Sequence, residues 1–276
     1  MSPHDKMIVN REASLCRSRG PAIGAASLIE RPKPLHGQIY EILWEKILSG
    51  DILPGQRLSD VEWSARLNIS RTPTREAMRK LEQDGILAPL AGGGYKLRRI
   101  EARELRNLYR CRAVLEALAI RDAAPYFSAL DAERMRGLIA HTEEFILHYD
   151  FDAAFELNTL FHEQIIDLTK NPCLIRLTRN LGRLILFARS SLRNAISHSR
   201  ELREVYARYM TERQNDHRQI VDLLVGGRVD EAAAAMERHL FMTAEDMLRI
   251  SEQLPVHSQG KHQKVWGGRD RRQSKL

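Results

Sequence analysis

From residue 101 to about residue 250 the chain contains no alternating apolar–polar run; apolar side chains return instead every three or four positions. That spacing gives one face of an amphipathic helix, and a stretch that keeps to it has no strands from which to build a sheet. Helices are predicted over residues 101–124, 131–148, 150–169, 173–196, 200–225 and 229–250. Pro125, Asp131, Asn171-Pro172 and Gly226-Gly227 punctuate them, as capping and helix-breaking residues should. Helices of this length with short connections can bury their stripes only against one another, which predicts an all-α bundle over residues 101–250.

The segment before the bundle reads differently. Ile39, Leu43, Ile47 and Leu48 fall at helical spacing and stop at Gly50, with a turn at Leu53-Pro54-Gly55. A second short helix is predicted over 59–67 and a third over 70–85. Residues 86–98 then hold two short apolar strips split by Gly92-Gly93-Gly94, the pattern of a hairpin. Helix, helix, helix, hairpin over residues 35–98 predicts a winged helix-turn-helix. The fold class is therefore mainly α, a winged helix-turn-helix followed by a helical bundle.

The third helix carries the chemistry. Ser70 or Thr72 can cap its start, and Pro73 in the first turn loses an amide that would be orphaned anyway. Arg71, Arg75 and Arg79 recur at i, i+4 and i+8 on one face, opposite Ala77, Met78 and Leu81. In a helix-turn-helix the first residues of the second helix reach base edges. Arginine can pair bidentately with guanine, and the hydroxyls of Ser70, Thr72 and Thr74 can meet phosphates or base edges. Gly93 and Gly94, at the tip of the wing, would let backbone approach the sugar-phosphate chain closely. An arginine-rich helix can also be a merely solvated face; the helix before it and the hairpin after it argue for reading DNA.

These residues also resemble a family. Gly50-Asp51-Ile52-Leu53-Pro54-Gly55-Gln56-Arg57-Leu58, then Ser70-Arg71-Thr72-Pro73-Thr74-Arg75-Glu76-Ala77-Met78-Arg79-Lys80-Leu81-Glu82, then Asp84-Gly85 and Gly94-Tyr95, are similar to the N-terminal domain of GntR-type regulators. The resemblance spans residues 36–98. One departure is Trp63-Ser64, which stands where family members have a Leu-Ala pair in the second helix.

Charge locates the partners only loosely. The net charge of +7 resides in the ends: residues 1–34 and 255–276 are strongly basic, whereas 35–98 is almost neutral and 99–254 slightly acidic. Residues 1–34, ending in Arg31-Pro32-Lys33-Pro34, read as a flexible basic arm, and 251–276 as a disordered basic tail. Such ends attract polyanions without selecting among sequences. Cys16, Cys111 and Cys173 are too few and too widely spaced for a disulfide framework or a Cys-rich zinc module. The apolar stretch at 22–29 is too short for a membrane span and lacks a signal-peptide leader. A cytoplasmic protein with no membrane partner is the expectation.

Within the bundle, Phe151, Phe155, Asn158, Phe161, His162 and Ile165 share one stripe, so Asn158 and His162 turn inward together. His217 lies on the stripe of Tyr206, Met210, Ile220 and Leu224, and His239 lies beside Met236, Leu240 and Thr243. One inward histidine is usually a hydrogen-bonded core residue. Three on separate helices, with an asparagine, can converge on one divalent ion, for which neutral imidazoles and an amide oxygen are suitable ligands. Zinc is the expected ion, with nickel and manganese as alternatives. Arg112 sits on or beside the stripe of Leu105, Leu108, Leu115 and Ala119, where a guanidinium needs an anion. Glu116, one turn on, would satisfy it structurally; the carboxylate of an effector would do so functionally.

Asn158-Thr159-Leu160-Phe161-His162, Asn171-Pro172, His217 and the run from Gly227-Arg228-Val229-Asp230-Glu231-Ala232 to His239 resemble the FCD effector domain of the FadR subfamily. The resemblance implies a metal-dependent pocket for small organic acids. Many metal-binding members carry Asp where Asn158 stands; a neutral ligand holds a cation less strongly than a carboxylate does.

Two other functions are weighed. His162-Glu163 begins like a zinc-peptidase motif, but Ile166 occupies the position of its second histidine, and no phosphate loop or nucleophile elbow is present. A metal-dependent enzyme is therefore disfavoured. A purely architectural DNA-binding protein would leave the three inward histidines without a purpose. The expectation is a ligand-responsive transcription regulator, a repressor, that binds a palindromic double-stranded operator as a homodimer.

Overall fold

The protein is described by a computed structural model over residues 34–253. The arm expected at 1–34 and the tail expected at 251–276 lie outside the described residues, except for Pro34 and the end of the last helix.

Helix α1 (Leu35–Leu48) leads through a turn into strand β1 (Arg57–Leu58). Helices α2 (Asp60–Leu67) and α3 (Arg71–Gln83) follow, then strands β2 (Leu87–Pro89) and β3 (Tyr95–Leu97). Ser59 caps α2 by accepting from the Val61 amide, and Asn68 closes it in the left-handed region, turning the chain into α3. The hairpin expected from the sequence is the larger part of a three-stranded antiparallel sheet, ordered β1-β3-β2. Two residues, Arg57 and Leu58, are too short a strand to leave a periodic signal, which is why β1 is not legible in the sequence.

Gly94 is held by that strand. Its φ is +79°, and a Cβ there would lie 2.9 Å from the Leu58 carbonyl oxygen, so any side chain would have to push β1 away. Trp63 and Ser64, the departure from the family pattern, are both buried in α2. Ser64 Oγ donates to the Val61 carbonyl, so the hydroxyl is satisfied locally.

The bundle comprises α4 (Ala102–Ala123), continued by a 3₁₀ turn at Ala124–Tyr126, then α5 (Ala129–Leu147), α6 (Phe151–Leu168), α7 (Pro172–His198), α8 (Arg200–Val225) and α9 (Val229–Glu252). Each lies within a few residues of its predicted span; the last extends two residues past the expected end at 250. Strong local caps explain this agreement: a reciprocal box between Ser128 and Asp131, Asp150 before α6, Asn171 with Pro172 at the start of α7, and Ser199 before α8. Helix α9 packs chiefly on α4 and α8, while α5 packs on α6 and α8.

Two apolar clusters result. One, built on Tyr109, Phe161, Ile220, Met236 and their neighbours, fills the bundle. The other joins α1, α2, α3 and the sheet, and takes in the buried Phe187 from far along the sequence in α7, with Leu184 and Leu186 packed against it. Close by, the Arg183 guanidinium donates to the Tyr40 hydroxyl at 2.9 Å, and Tyr40 donates to Asp84 at 2.8 Å. No helix among the described residues is long and apolar enough to cross a membrane, and Cys111 and Cys173 are free thiols.

Candidate nucleic-acid interface and metal centre

Helix α3 presents Arg71, Thr72, Arg75 and Arg79 outward and buries Thr74, Ala77, Met78 and Leu81. Ser70 occupies the N-cap position with extended backbone, but its side chain makes no capping bond. Thr74 is fully buried, and its hydroxyl donates to the Ser70 carbonyl at 3.2 Å. It fixes the helix start from within, and this conformation gives it no face toward DNA. Gly93 is exposed at the wing, and Arg57 donates to its carbonyl. Gly94 is committed to the sheet by the close approach of Leu58.

Sequence reasoning overlooked Asp60. Its carboxylate accepts from Arg75 Nε at 3.0 Å and Nη2 at 2.7 Å, and from Arg71 Nη2 at 3.2 Å. Burial would raise its pKa, but the two guanidiniums bring it below the ordinary carboxylate value. Both arginines are more than half exposed, so they are held in place yet remain open to an incoming phosphate or base.

In the bundle, His162 from α6, His217 from α8 and His239 from α9 are buried, and one ring nitrogen from each falls within 4.8 Å of the others. Each ring is oriented through its Nδ1. His162 Nδ1 lies 2.5 Å from a Glu116 oxygen, His217 Nδ1 3.1 Å from Gln214 Oε1, and His239 Nδ1 3.4 Å from Asp216 Oδ2. All three partners are acceptors, so each Nδ1 carries the proton and each Nε2 presents a lone pair.

Burial pushes His162 down to about 4, His217 well below its usual value and His239 down as well, so the rings are neutral near neutral pH. The outcome is unusual. His217 Nε2 faces His239 Nε2 at 3.1 Å, lone pair to lone pair in these tautomers, and His162 Nε2 is buried without a hydrogen-bond partner. Converging lone pairs repel unless a cation lies among them, and a buried unpartnered nitrogen calls for one. The residues therefore fit a divalent metal ion.

Asn158, His162, His239 and Arg112 border one narrow cavity with about 30 Å³ of free room, enough for one or two water-sized groups. Arg112 Nε lies 2.5 Å from Glu116, so the structural partner considered for it is present. Burial would raise the Glu116 carboxyl, but Arg112 and His162 draw it down to about 2. Glu116 thus joins the arginine to the histidine cluster.

Two further guanidiniums border the cavity, and sequence reasoning overlooked both. Arg213 lies 2.7 Å from Asp216 and 3.3 Å from Asp246. Arg189 donates to the Tyr206 hydroxyl at 2.7 Å and lies 4.1 Å from the Phe155 ring centroid. A signal for Arg189 was available: Ile185, Leu192 and Ile196 are buried at i−4, i+3 and i+7, putting a cation on an apolar stripe.

A winged helix-turn-helix with an outward arginine face, joined to a helical bundle with a buried ligand-type cluster, defines a DNA-binding regulator with a sensing domain. Comparison with known proteins agrees. Residues 35–97 match the description "Bacterial regulatory proteins, gntR family", and residues 107–241 match the FCD domain. The chain is 32% identical over 203 residues to the Nta operon transcriptional regulator of Aminobacter aminovorans, covering 71% of this chain and 87% of that one. It is 30% identical over 136 residues to the HTH-type transcriptional repressor RspR of Escherichia coli, covering 49% and 60% respectively. The solved structure of E. coli McbR/YncC shares the fold, with a TM-score of 0.62 at 17% identity over 78% of this chain and 98% of that one. The chain belongs to the bacterial gntR family of regulatory proteins, in its FCD-bearing, FadR-like branch; it is a DNA-binding transcription regulator, and its relatives are regulators rather than enzymes.

Proposed function

We propose that this regulator is a cytoplasmic repressor that reads a palindromic operator as a homodimer and releases or retains it according to a small organic acid sensed at a metal-containing pocket. Residues 35–98 are the DNA-reading domain and residues 101–250 the sensing and dimerising domain. The observation that carries the sensing half is the convergence of three neutral imidazoles on unprotonated Nε2 atoms, with His162 Nε2 left without a partner. His162, His217 and His239 would hold the ion, with Asn158 offering an amide oxygen from the same cavity. Zinc suits such a set, with nickel and manganese as alternatives. When bound, the ion supplies fixed positive charge that draws an acid's carboxylate into the cavity.

The chain's own residues supply the remainder. Glu116, Gln214 and Asp216 fix the imidazole tautomers. Arg112, braced by Glu116, adds a second positive group at the cavity wall. On DNA, Arg71, Thr72, Arg75 and Arg79 meet base edges and phosphates, with Ser70 and Gly93 as backbone neighbours. Thr74 and Gly94 hold the helix and the wing in shape. A dimer would present two such helices at the spacing of adjacent half-sites, and the sensing domain would shift the population competent for that spacing. Repression accords with the printed name of the relative RspR.

The test begins with elemental analysis of protein purified without chelator or an affinity column, and with sedimentation to establish the oligomer. Operator fragments selected from genomic DNA then report binding, with and without carboxylic acids. Loss of the ion from His162→Ala and His239→Ala is expected. Metal-free wild-type protein that still responds to acid would remove the ion from the function, and a monomer at operator saturation would remove the dimer.

A further inference from the structure

Three guanidiniums border the cavity, and their circumstances differ. Arg112 faces Glu116 and Arg213 faces Asp216 and Asp246, so each has a carboxylate belonging to the chain. Among the described residues Arg189 has none. Its partners are the Tyr206 hydroxyl, the Phe155 ring and, close by, the buried Tyr109 hydroxyl. Phenols and an aromatic face soften the loss of water around a cation but do not neutralise it. A half-buried guanidinium beside a cavity, with no carboxylate partner among the described residues, is a site for an anion from outside the chain.

We propose that Arg189 anchors a second anionic end of the effector, so that the cavity selects a short dicarboxylate over a monocarboxylate of the same length. This rests on the acid-sensing function proposed above. One carboxylate faces the histidine cluster; the other lies against Arg189 and the two tyrosine hydroxyls. Arg112 is unsuited to the second role because Glu116 already answers it. The free room of about 30 Å³ requires the ligand to be short and the wall to give. Met210 and Met247 line that wall, and unbranched thioether side chains repack around an entrant at little cost. Helix α7 brings Arg189 to the cavity two residues after Phe187 enters the core of the DNA-reading domain, so an anion drawn to Arg189 acts on a helix that both regions share.

The experiment uses the full chain loaded with zinc, titrated calorimetrically with succinate and with butyrate, which have four carbons each but two carboxylates and one. Succinate is expected to bind about tenfold tighter or better, in line with an added charge-assisted pair. Arg189→Gln should erase that preference while leaving butyrate affinity and zinc content unchanged. Arg189→Met, an apolar chain suited to the methionine-lined wall, serves the same purpose should the glutamine variant fail to fold. Equal affinity of the wild type for the two acids, or a preference that survives in either variant, overturns the assignment of Arg189 while leaving acid sensing intact. If the zinc-loaded wild type binds neither succinate nor butyrate, this proposal falls; the acid-sensing function falls separately, if no carboxylic acid alters operator binding.

Discussion

The two ends of the molecule use arginine and carboxylate in opposite ways. On α3, Asp60 holds Arg71 and Arg75 at the surface, where water screens the pairs and their net contribution to stability is small, about 0–1 kcal/mol each. In the bundle, Arg112, Glu116 and His162 form a chain of charge and hydrogen bonds in which Glu116 and His162 are about 2% exposed. There each group depends on its neighbour, because an unpartnered buried charge costs several times as much. A DNA-reading surface must exchange its partners for phosphate and bases, so loose exposed pairs serve it. A pocket of the kind proposed for the bundle must hold its groups in one geometry until a ligand arrives, which burial achieves.

That contrast makes graded predictions. The largest effect should come from the buried end. With zinc held at the three histidines as proposed, chelator should lower the unfolding free energy by about 4 kcal/mol relative to protein with free zinc at a thousand times its dissociation constant, read as a fall in thermal midpoint that zinc restores. An unchanged midpoint would mean that the histidine cluster is merely core. Arg75→Ala should weaken operator binding by about 1–3 kcal/mol if it reads a base bidentately; gel shifts against selected and scrambled duplexes check it, and equal losses on both would reduce Arg75 to a phosphate contact. Glu116→Gln should weaken zinc affinity about 10–100-fold by loosening His162, measured by competition with a chromogenic chelator. Gly94→Ala should cost about 1 kcal/mol or more in urea unfolding, from the positive φ and the contact with Leu58. The smallest effect is expected at Asp60→Ala: stability should change by less than about 1 kcal/mol, while Arg71 and Arg75 lose their common brace. A loss of several kcal/mol at Asp60→Ala, the scale of breaking a buried pair, would erase the contrast between the two ends.

The helices of the bundle were legible because periodicity and capping agree along each of them, as the Ser128–Asp131 box and Asn171-Pro172 illustrate. The histidines were legible for the same reason, since a stripe states which residues point inward. What a stripe cannot state is which inward groups meet across helices. Glu116 was visible as a structural partner for Arg112, but its second bond, to His162, links α4 to α6 and has no sequence spacing. Asp60 escaped notice because it looks like an ordinary acidic residue in the first turn of a helix; only the crossing of α2 and α3 brings it to the arginines. Thr74 looks DNA-facing from its neighbourhood, whereas its burial and its bond to the Ser70 carbonyl turn it into the domain. Proximity in sequence to an interface does not establish which way a small residue faces.

Phe187 has a consequence for any attempt to divide or recombine this protein. It is 1% exposed, and it completes a core otherwise made of residues 39–97. A fragment cut at the natural joint near residue 100 would thus lack one of its own large core side chains and would expose the surface that Phe187 covers. Large-to-small losses of this kind cost about 3–5 kcal/mol in cores, a large fraction of what a domain of that size possesses. Chimeras that graft this reading head onto another sensor would therefore need to bring α7, or its matching face, along with it.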